Sequence, residues 1–315
     1  MKTLYRNYLL VIAIVAFALT SCASPATAVP AAETWTIYTP ASTSSIPVIM
    51  AAQKLDNVEL VLYTNQEQAN TLFARGEVSM MVTGLSVGMA LFKNEVPIKL
   101  DNTYVSGLSH LVTYGKTVSS FSDLKGGEIY IPFAGSPIEE ICQYLAAQEG
   151  LTWGTDITPI YSPFDASIAL LKEGKAVAVV LPEPNVSLVE SQPDVHISFS
   201  LYDLWNQYNP GNKGYPQVGT FVNTNWAASH AAEVEAFNTA LAEAIQEVQA
   251  DPAAAISATR DQFKLPEPIL TQALSRTQYQ FIAGAEMQES IETYYQTVGK
   301  PLDETYAQFY YSPAK

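Results

Sequence analysis

The sequence predicts an α/β protein of two lobes, each a mainly parallel sheet flanked by helices. Three observations predict it. The stretch Leu170–Asn185 runs from a helix end to a buried strand and a loop. Lys172 and Glu173 close the helix, and Gly174 stands where a C-terminal cap needs a left-handed residue. Ala176–Leu181 is an unbroken apolar run, the pattern of a strand covered on both faces, and Pro182 and Pro184 end it. The same order occurs earlier, in Leu72–Gly84, where Gly76 corresponds to Gly174 and Val82 to Val180. Finally, Ile37-Tyr38-Thr39-Pro40 corresponds to Ile129-Tyr130-Ile131-Pro132, each followed by small residues. A unit that appears once in each half points to two related α/β lobes.

Taken in order, Trp35–Tyr38 alternates and forms a first strand that stops at Pro40. Ser42–Ser45 followed by Pro47 is a helix-start signal. Val58–Tyr63 is a second strand, Asn65 caps a helix running to Arg75, and Val78–Val82 is a third strand. Thr83–Ser86 leads into a short helix ending at Phe92. Alternation of strands and helices implies parallel pairing. Two apolar segments between Lys99 and Tyr114, split at Ser106-Gly107, mark a first crossing between lobes. Glu128–Ile131, the helix from Ser136, Ile157–Tyr161, the Asp165–Glu173 helix (Asp165 its expected N-cap) and the Ala176 strand build the second lobe, followed by His196–Phe199 and Leu201–Tyr208. The turn cluster Asn209–Pro216 precedes a return strand, Val218–Asn223. From Ala231 onward the pattern is helical: Glu233–Ala250, then helices near Pro252, Glu267 and Glu286.

The 315 residues suffice for two domains, each with its own core, and a 48% hydrophobic, 15% charged composition is globular. A net charge of −15 without Lys/Arg clusters argues against a nucleic-acid partner. Lys2 and Arg6 precede the apolar run Leu9–Leu19, which is short for a membrane span. Leu19-Thr20-Ser21-Cys22 resembles the bacterial lipobox. It implies removal of residues 1–21, lipidation of Cys22 (a palmitate-bearing anchor) and an extracytoplasmic chain held at the cell membrane. Residues 22–32, rich in Ala, Pro, Ser and Thr, read as a tether. Cys142 is then the remaining cysteine, and its spacing beside Ile138, Ile141 and Leu145 suits packing better than nucleophilic catalysis.

There is no HExxH, no CxxC and no Walker loop, so no metal or other cofactor is expected. Gly84-Leu85-Ser86-Val87-Gly88 does match the Gly-x-Ser-x-Gly spacing between a strand and a helix. His110, His196 or His230 would have to serve as base. The other use of such loops is binding. Ser42, Thr43, Ser44 and Ser45, then Thr83, Gly84 and Ser86, then Ala134, Gly135 and Ser136 set hydroxyls and backbone N–H groups at helix starts. Orphan donors and the helix dipole suit an oxyanion there. Each hydroxyl equally suits capping its own helix. Glu183, at a strand end, would face a cleft and suit an amine or ring N–H, or else pair with a structural partner. Phe133, Phe164 and Tyr215, with Tyr38, Tyr161 and Trp205, lie near strand ends or loops, as stacking surface or as core.

The leader with its lipobox, Asp123-Leu124-Lys125-Gly126 before a strand and Ala134-Gly135-Ser136, Leu170–Gly174 with the run to Leu181-Pro182-Glu183-Pro184, and the Val218–Asn223 return resemble one family. It is that of the nitrate/sulfonate/bicarbonate-type periplasmic substrate-binding proteins of ABC importers, which includes taurine, alkanesulfonate and pyrimidine-precursor binders. The resemblance spans Glu33 to Tyr306. It implies a periplasmic-binding-protein type II fold: residues 33–108 plus 218–315 as one lobe, 109–217 as the other, hinged near Ser106–Leu111 and Tyr215–Val218. It further implies a monomer that traps a small organic or oxyanionic ligand and delivers it to a permease and its ATPase, with no enzymatic activity. The alternatives are a serine hydrolase using Ser86, or a ligand-sensing lipoprotein. Pyrimidine-synthase relatives depend on a histidine and a cysteine-rich motif that this chain lacks.

Overall fold

The computed structural model describes residues 33–211 and 214–312. The leader, Cys22 and the tether lie outside the described residues. Thr34–Lys315 forms one compact unit. Its strands and helices run β1 (Trp35–Pro40), α1 (Ser45–Ala52), β2 (Val58–Tyr63), α2 (Gln66–Ala74), β3 (Met80–Gly84), α3 (Leu85–Lys93), β4 (Ile98–Gly107) and β5 (Ser109–Tyr114). Then come β6 (Glu128–Ile131), α4 (Pro137–Gln148), β7 (Thr158–Tyr161), α5 (Phe164–Lys172), β8 (Ala178–Pro182), α6 (Asn185–Val189), β9 (Val195–Ser200), α7 (Leu201–Tyr208) and β10 (Val218–Asn223). The chain ends with α8 (Thr224–Ala227), α9 (Ala231–Ala250), α10 (Pro252–Phe263), α11 (Glu267–Ser275), β11 (Gln278–Ala283) and α12 (Gly284–Thr297).

The strands form two sheets, ordered β11-β4-β10-β3-β1-β2 and β7-β6-β8-β5-β9. Each contains the same parallel core: β1 between β2 and β3, and β6 between β7 and β8. The corresponding glycines Gly76 and Gly174 both have positive φ, +77° and +67°, and turn the chain from helix into strand. Beyond these cores the sheets are mixed. β10 runs antiparallel to β3 and β4, and β5 runs antiparallel to β8 and β9. These are the strands by which the chain leaves and re-enters each sheet, so no helical crossover sets their direction.

β11 departs from the all-helical reading after Ala231. It pairs antiparallel with β4 and completes the first sheet at its edge. Gln278–Ala283 is short and set between two helices, so local pattern alone did not reveal it; the open edge of β4 supplies its ladder. Asp165 is not a cap, because α5 begins at Phe164 with Pro163 in the N-cap position. Asn65 and Ser136 do cap their helices, accepting from the N–H groups of Gln68 and Glu139.

The two sheets do not have wholly separate cores. One apolar cluster includes Met81 and Phe221 of the first sheet, Ile129 and Val180 of the second, and Met287, Ile291 and Tyr294 of α12. Tyr294 packs on Trp205 and Tyr215, with ring centroids 5.6 and 6.4 Å away. Cys142 is fully buried in the same cluster as a free thiol, and burial pushes its pKa up.

Candidate functional site

The two sheets communicate through two short connections. Only Leu108 separates β4 from β5, and residues 214–217 lead back to β10. Gln217 ties these crossings together. Its side chain accepts from the Leu108 N–H (3.2 Å) and donates to Ser109 Oγ (2.8 Å). Its carbonyl accepts from the Leu85 N–H at the start of α3. Both crossings fall within the stretches expected from sequence.

The strand-end loops of the two sheets face each other and touch. Ser86 Oγ, in the first turn of α3, donates to the Gly135 carbonyl before α4, at 2.8 Å. A Cβ on Gly84 would stand 2.6 Å from Pro137 Cγ, so glycine permits this close approach. Gly88, the last glycine of the Gly-x-Ser-x-Gly pattern, packs against the Phe221 ring. Ser86 thus holds a strand–helix junction, yet its hydroxyl is directed to a carbonyl. Among the described residues no histidine is hydrogen-bonded to it.

The loop after β1 is secured by neutral hydroxyls. Thr39 and Ser45 share a hydrogen bond of 2.5 Å, and Ser45 also donates to the Pro40 carbonyl. Ser42 and Ser44 are paired at 2.6 Å, and Thr43 pairs with Thr277 at 2.7 Å. The hydroxyls of Tyr104 and Tyr279 donate to the carbonyls of Ser44 and Thr43. Thr43, Ser44 and Ser45 are buried, while Ser42 is half-buried. Thr83 is buried and donates to Gln66 Oε1.

The loop before α4 is different. Phe133 (40% exposed), Ala134 and Gly135 lie at the surface, while Ser136 is buried as the cap. Glu139 occupies the third position of the helix and is only 4% exposed. Its carboxylate accepts from the Gly135 N–H (2.6 Å), Trp153 Nε1 (3.1 Å) and the Tyr161 hydroxyl (2.7 Å). The bond to this carboxylate raises the Tyr161 pKa. Tyr161 is 49% exposed at the end of β7, and Phe164 is half-buried at the start of α5. Sequence reasoning passed over Glu139. The signal was present, because Ser136-Pro137-Ile138-Glu139 has the capping-box spacing.

Glu183 is completely buried at the end of β8. It accepts from the Ser187 N–H (3.1 Å) and from Arg276 Nη1 (3.3 Å). Arg276 follows α11, on the first-sheet side, and its other nitrogen meets Glu190 at 2.6 Å. Burial raises the Glu183 pKa, outweighing Ser187 and Arg276, which lower it. His110 on β5 is pushed down to about 4, chiefly by burial and then by Arg276. Tyr215 is buried between Trp205 and Tyr294, and its hydroxyl has no partner among the described residues. Among the described residues no group of three His, Cys, Asp or Glu could hold a metal ion, and no helix is long and apolar enough to cross a membrane.

Two mixed sheets flanked by helices, joined by two short crossings, with strand-end loops meeting face to face, constitute a periplasmic-binding-protein type II fold. The ligand-binding component of an ABC-type import system from Staphylococcus aureus, crystallised with zinc bound, superimposes with a TM-score of 0.73 at 15% identity, over 89% of this chain and 96% of that one. The periplasmic aliphatic sulphonate-binding protein of Escherichia coli gives 0.72 at 16% identity, over 90% and 94%. The periplasmic nitrate-binding protein of Synechocystis PCC 6803 gives 0.62 at 16% identity, over 81% and 74%. No protein of curated function matches in sequence. The family model described as NMT1/THI5 like matches residues 52–255, and the chain belongs to that family.

Proposed function

We propose that this protein is the extracytoplasmic solute-binding component of an ABC importer. A small molecule bridges the two sets of strand-end loops and stabilises the closed form, which a permease with its ATPase then recognises. One observation carries the reading: Ser86 of one loop set bonds Gly135 of the other, so the loop ends of the two sheets meet. Thr83, Ser86, Phe133 and Phe164 form the rim against which the ligand rests. The crossings at Leu108 and Gln217 are the hinge, dividing residues 33–108 and 218–315 from 109–217. Lipidation at Cys22 anchors the monomer at the membrane, and no substrate is turned over.

The test is ligand-induced thermal stabilisation across a small-molecule library, with small-angle scattering to follow closure. A single-site ligand that compacts the protein and is recovered unchanged supports the reading. Conversion of the ligand, abolished by Ser86→Ala, would show an enzyme instead. Co-purification with a permease in detergent separates an importer from a sensor. Loss of radiolabelled palmitate from Cys22→Ala tests the anchor.

A further inference from the structure

Arg276 joins the two halves of the molecule without a covalent bond. It stands in the turn between α11 and β11, and α11 packs there against α6 of the second half. Its guanidinium divides between two carboxylates. Nη1 donates to Glu183 (3.3 Å), just past β8, and reaches Ser187 Oγ in α6 at 3.4 Å. Nη2 donates to Glu190, which ends α6, at 2.6 Å. Both ends of this contact are fixed. Thr277, the next residue, is paired with Thr43 of the loop after β1 at 2.7 Å. The Glu183 N–H donates to the Leu108 carbonyl at 2.9 Å, so its carboxylate is anchored to the outgoing crossing.

The strand order sets where this contact acts. Along the first sheet β4 and β10 carry the crossings, with β11 beyond β4 and β3 beyond β10. Gln278 pairs with Gly107, so Arg276 stands beside the outgoing crossing; Gly84 pairs with Val218, so Ser86 stands beside the returning one. The Arg276 and Ser86 contacts therefore flank the crossings, one on each side. They differ in strength. Ser86 makes one neutral hydrogen bond, whereas Arg276 makes charge-assisted bonds to the buried Glu183 and the exposed Glu190. The guanidinium fork serves both acids at once in a fixed plane; a lysine ammonium is a single point charge.

We propose that Arg276 is an interlobe clasp. By gripping Glu183 and Glu190 it holds the two lobes together before any ligand arrives, and so sets the fraction of molecules open to receive one. A conformational equilibrium moves by the difference in contacts between its two forms, and charge-assisted bonds made in the closed form alone tilt it toward closure. This inference rests on the lobes and hinge of the solute-binding reading.

The test compares small-angle scattering of ligand-free wild type with Glu190→Gln, Arg276→Lys and Arg276→Gln, after circular dichroism verifies that each folds. Glu190→Gln carries the test if the Arg276 variants do not fold, because it leaves Arg276 paired with the buried Glu183. Lys54→Met is the control, breaking ion pairs to Glu243 and Glu247 within the first lobe. A compact chain of this size has a radius of gyration of about 19 Å. The expected result is an increase on the order of 1 Å in the clasp variants, largest in Arg276→Gln, and none in Lys54→Met. Folded clasp variants with the wild-type radius overturn the inference. Equal expansion of Lys54→Met overturns it as well, since lost stability and not the clasp would then account for the change. Because the spacing is read without ligand, failure of the solute-binding reading shows separately, as wild type that no small molecule stabilises.

Discussion

The two strand–proline–loop–helix units, one in each half, are held in place by different chemistry. After β1, the loop Ala41–Ser44 is held by neutral hydroxyl pairs and tyrosine-to-carbonyl bonds, nearly all buried. On the second sheet, the ends of β6 and β8 are held by two buried carboxylates, Glu139 and Glu183. Neutral pairs cost little to bury and titrate nowhere near neutrality. Buried carboxylates are stronger anchors only while every donor stays in place. The first rim should therefore tolerate substitution and pH change, while the second should be brittle to substitution and, at Glu183, sensitive to pH.

The sharpest way to break this contrast is Arg276→Met, which leaves Glu183 buried without its cation. Expected destabilisation is about 3 kcal/mol near neutral pH, read from urea unfolding. Its pH dependence has a definite sign. The raised folded pKa of Glu183 means that stability from the protonated acid is present below its ordinary 4.5 and lost as pH rises through the folded value. Without Arg276 that folded value rises further, so the variant's deficit should grow from mild acid toward neutral. His110 reinforces the trend. Its pKa, pushed down to about 4, means stability present above its ordinary 6.5 and lost as pH falls, and Arg276 contributes to that depression. A deficit independent of pH would mean that Glu183 does not sense Arg276.

Next in size is Glu139→Ala, which strands the donors of Gly135, Trp153 and Tyr161 and should cost about 2 kcal/mol; Glu139→Gln should restore part of it. On the neutral rim, Ser45→Ala should cost about 1 kcal/mol, with no change between mildly acidic and neutral buffer. Smallest is Phe133→Ala, expected within about 0.5 kcal/mol of wild type by thermal unfolding because the residue is exposed at the surface and belongs to none of the buried apolar clusters. Any weakening it causes should appear in ligand titration and not in the unfolding curve.

Much of the architecture was legible. The glycine stops at Gly76 and Gly174, the apolar runs before Thr83 and Pro182, and the breaks near Ser106 and Tyr215 are local signals, and strands and crossings fell where those signals stood. β11 was not legible, because six residues between helices become a strand only where β4 leaves an edge open. The partner of Glu183 was equally hidden, since Arg276 lies 93 residues away in sequence.

By itself the sequence determined the two-unit α/β plan and the residue types at the strand ends, because periodicity, glycine and proline act through nearest neighbours along the chain. Tertiary structure alone decided what those residues touch. It turned Thr43 and Ser44 inward to Thr277, Tyr104 and Tyr279, seated Glu139 against Trp153 and Tyr161, and set Arg276 on Glu183. Whether a helix start can receive a ligand depends on which acceptor reaches its N–H groups first, and that is a property of folded neighbours.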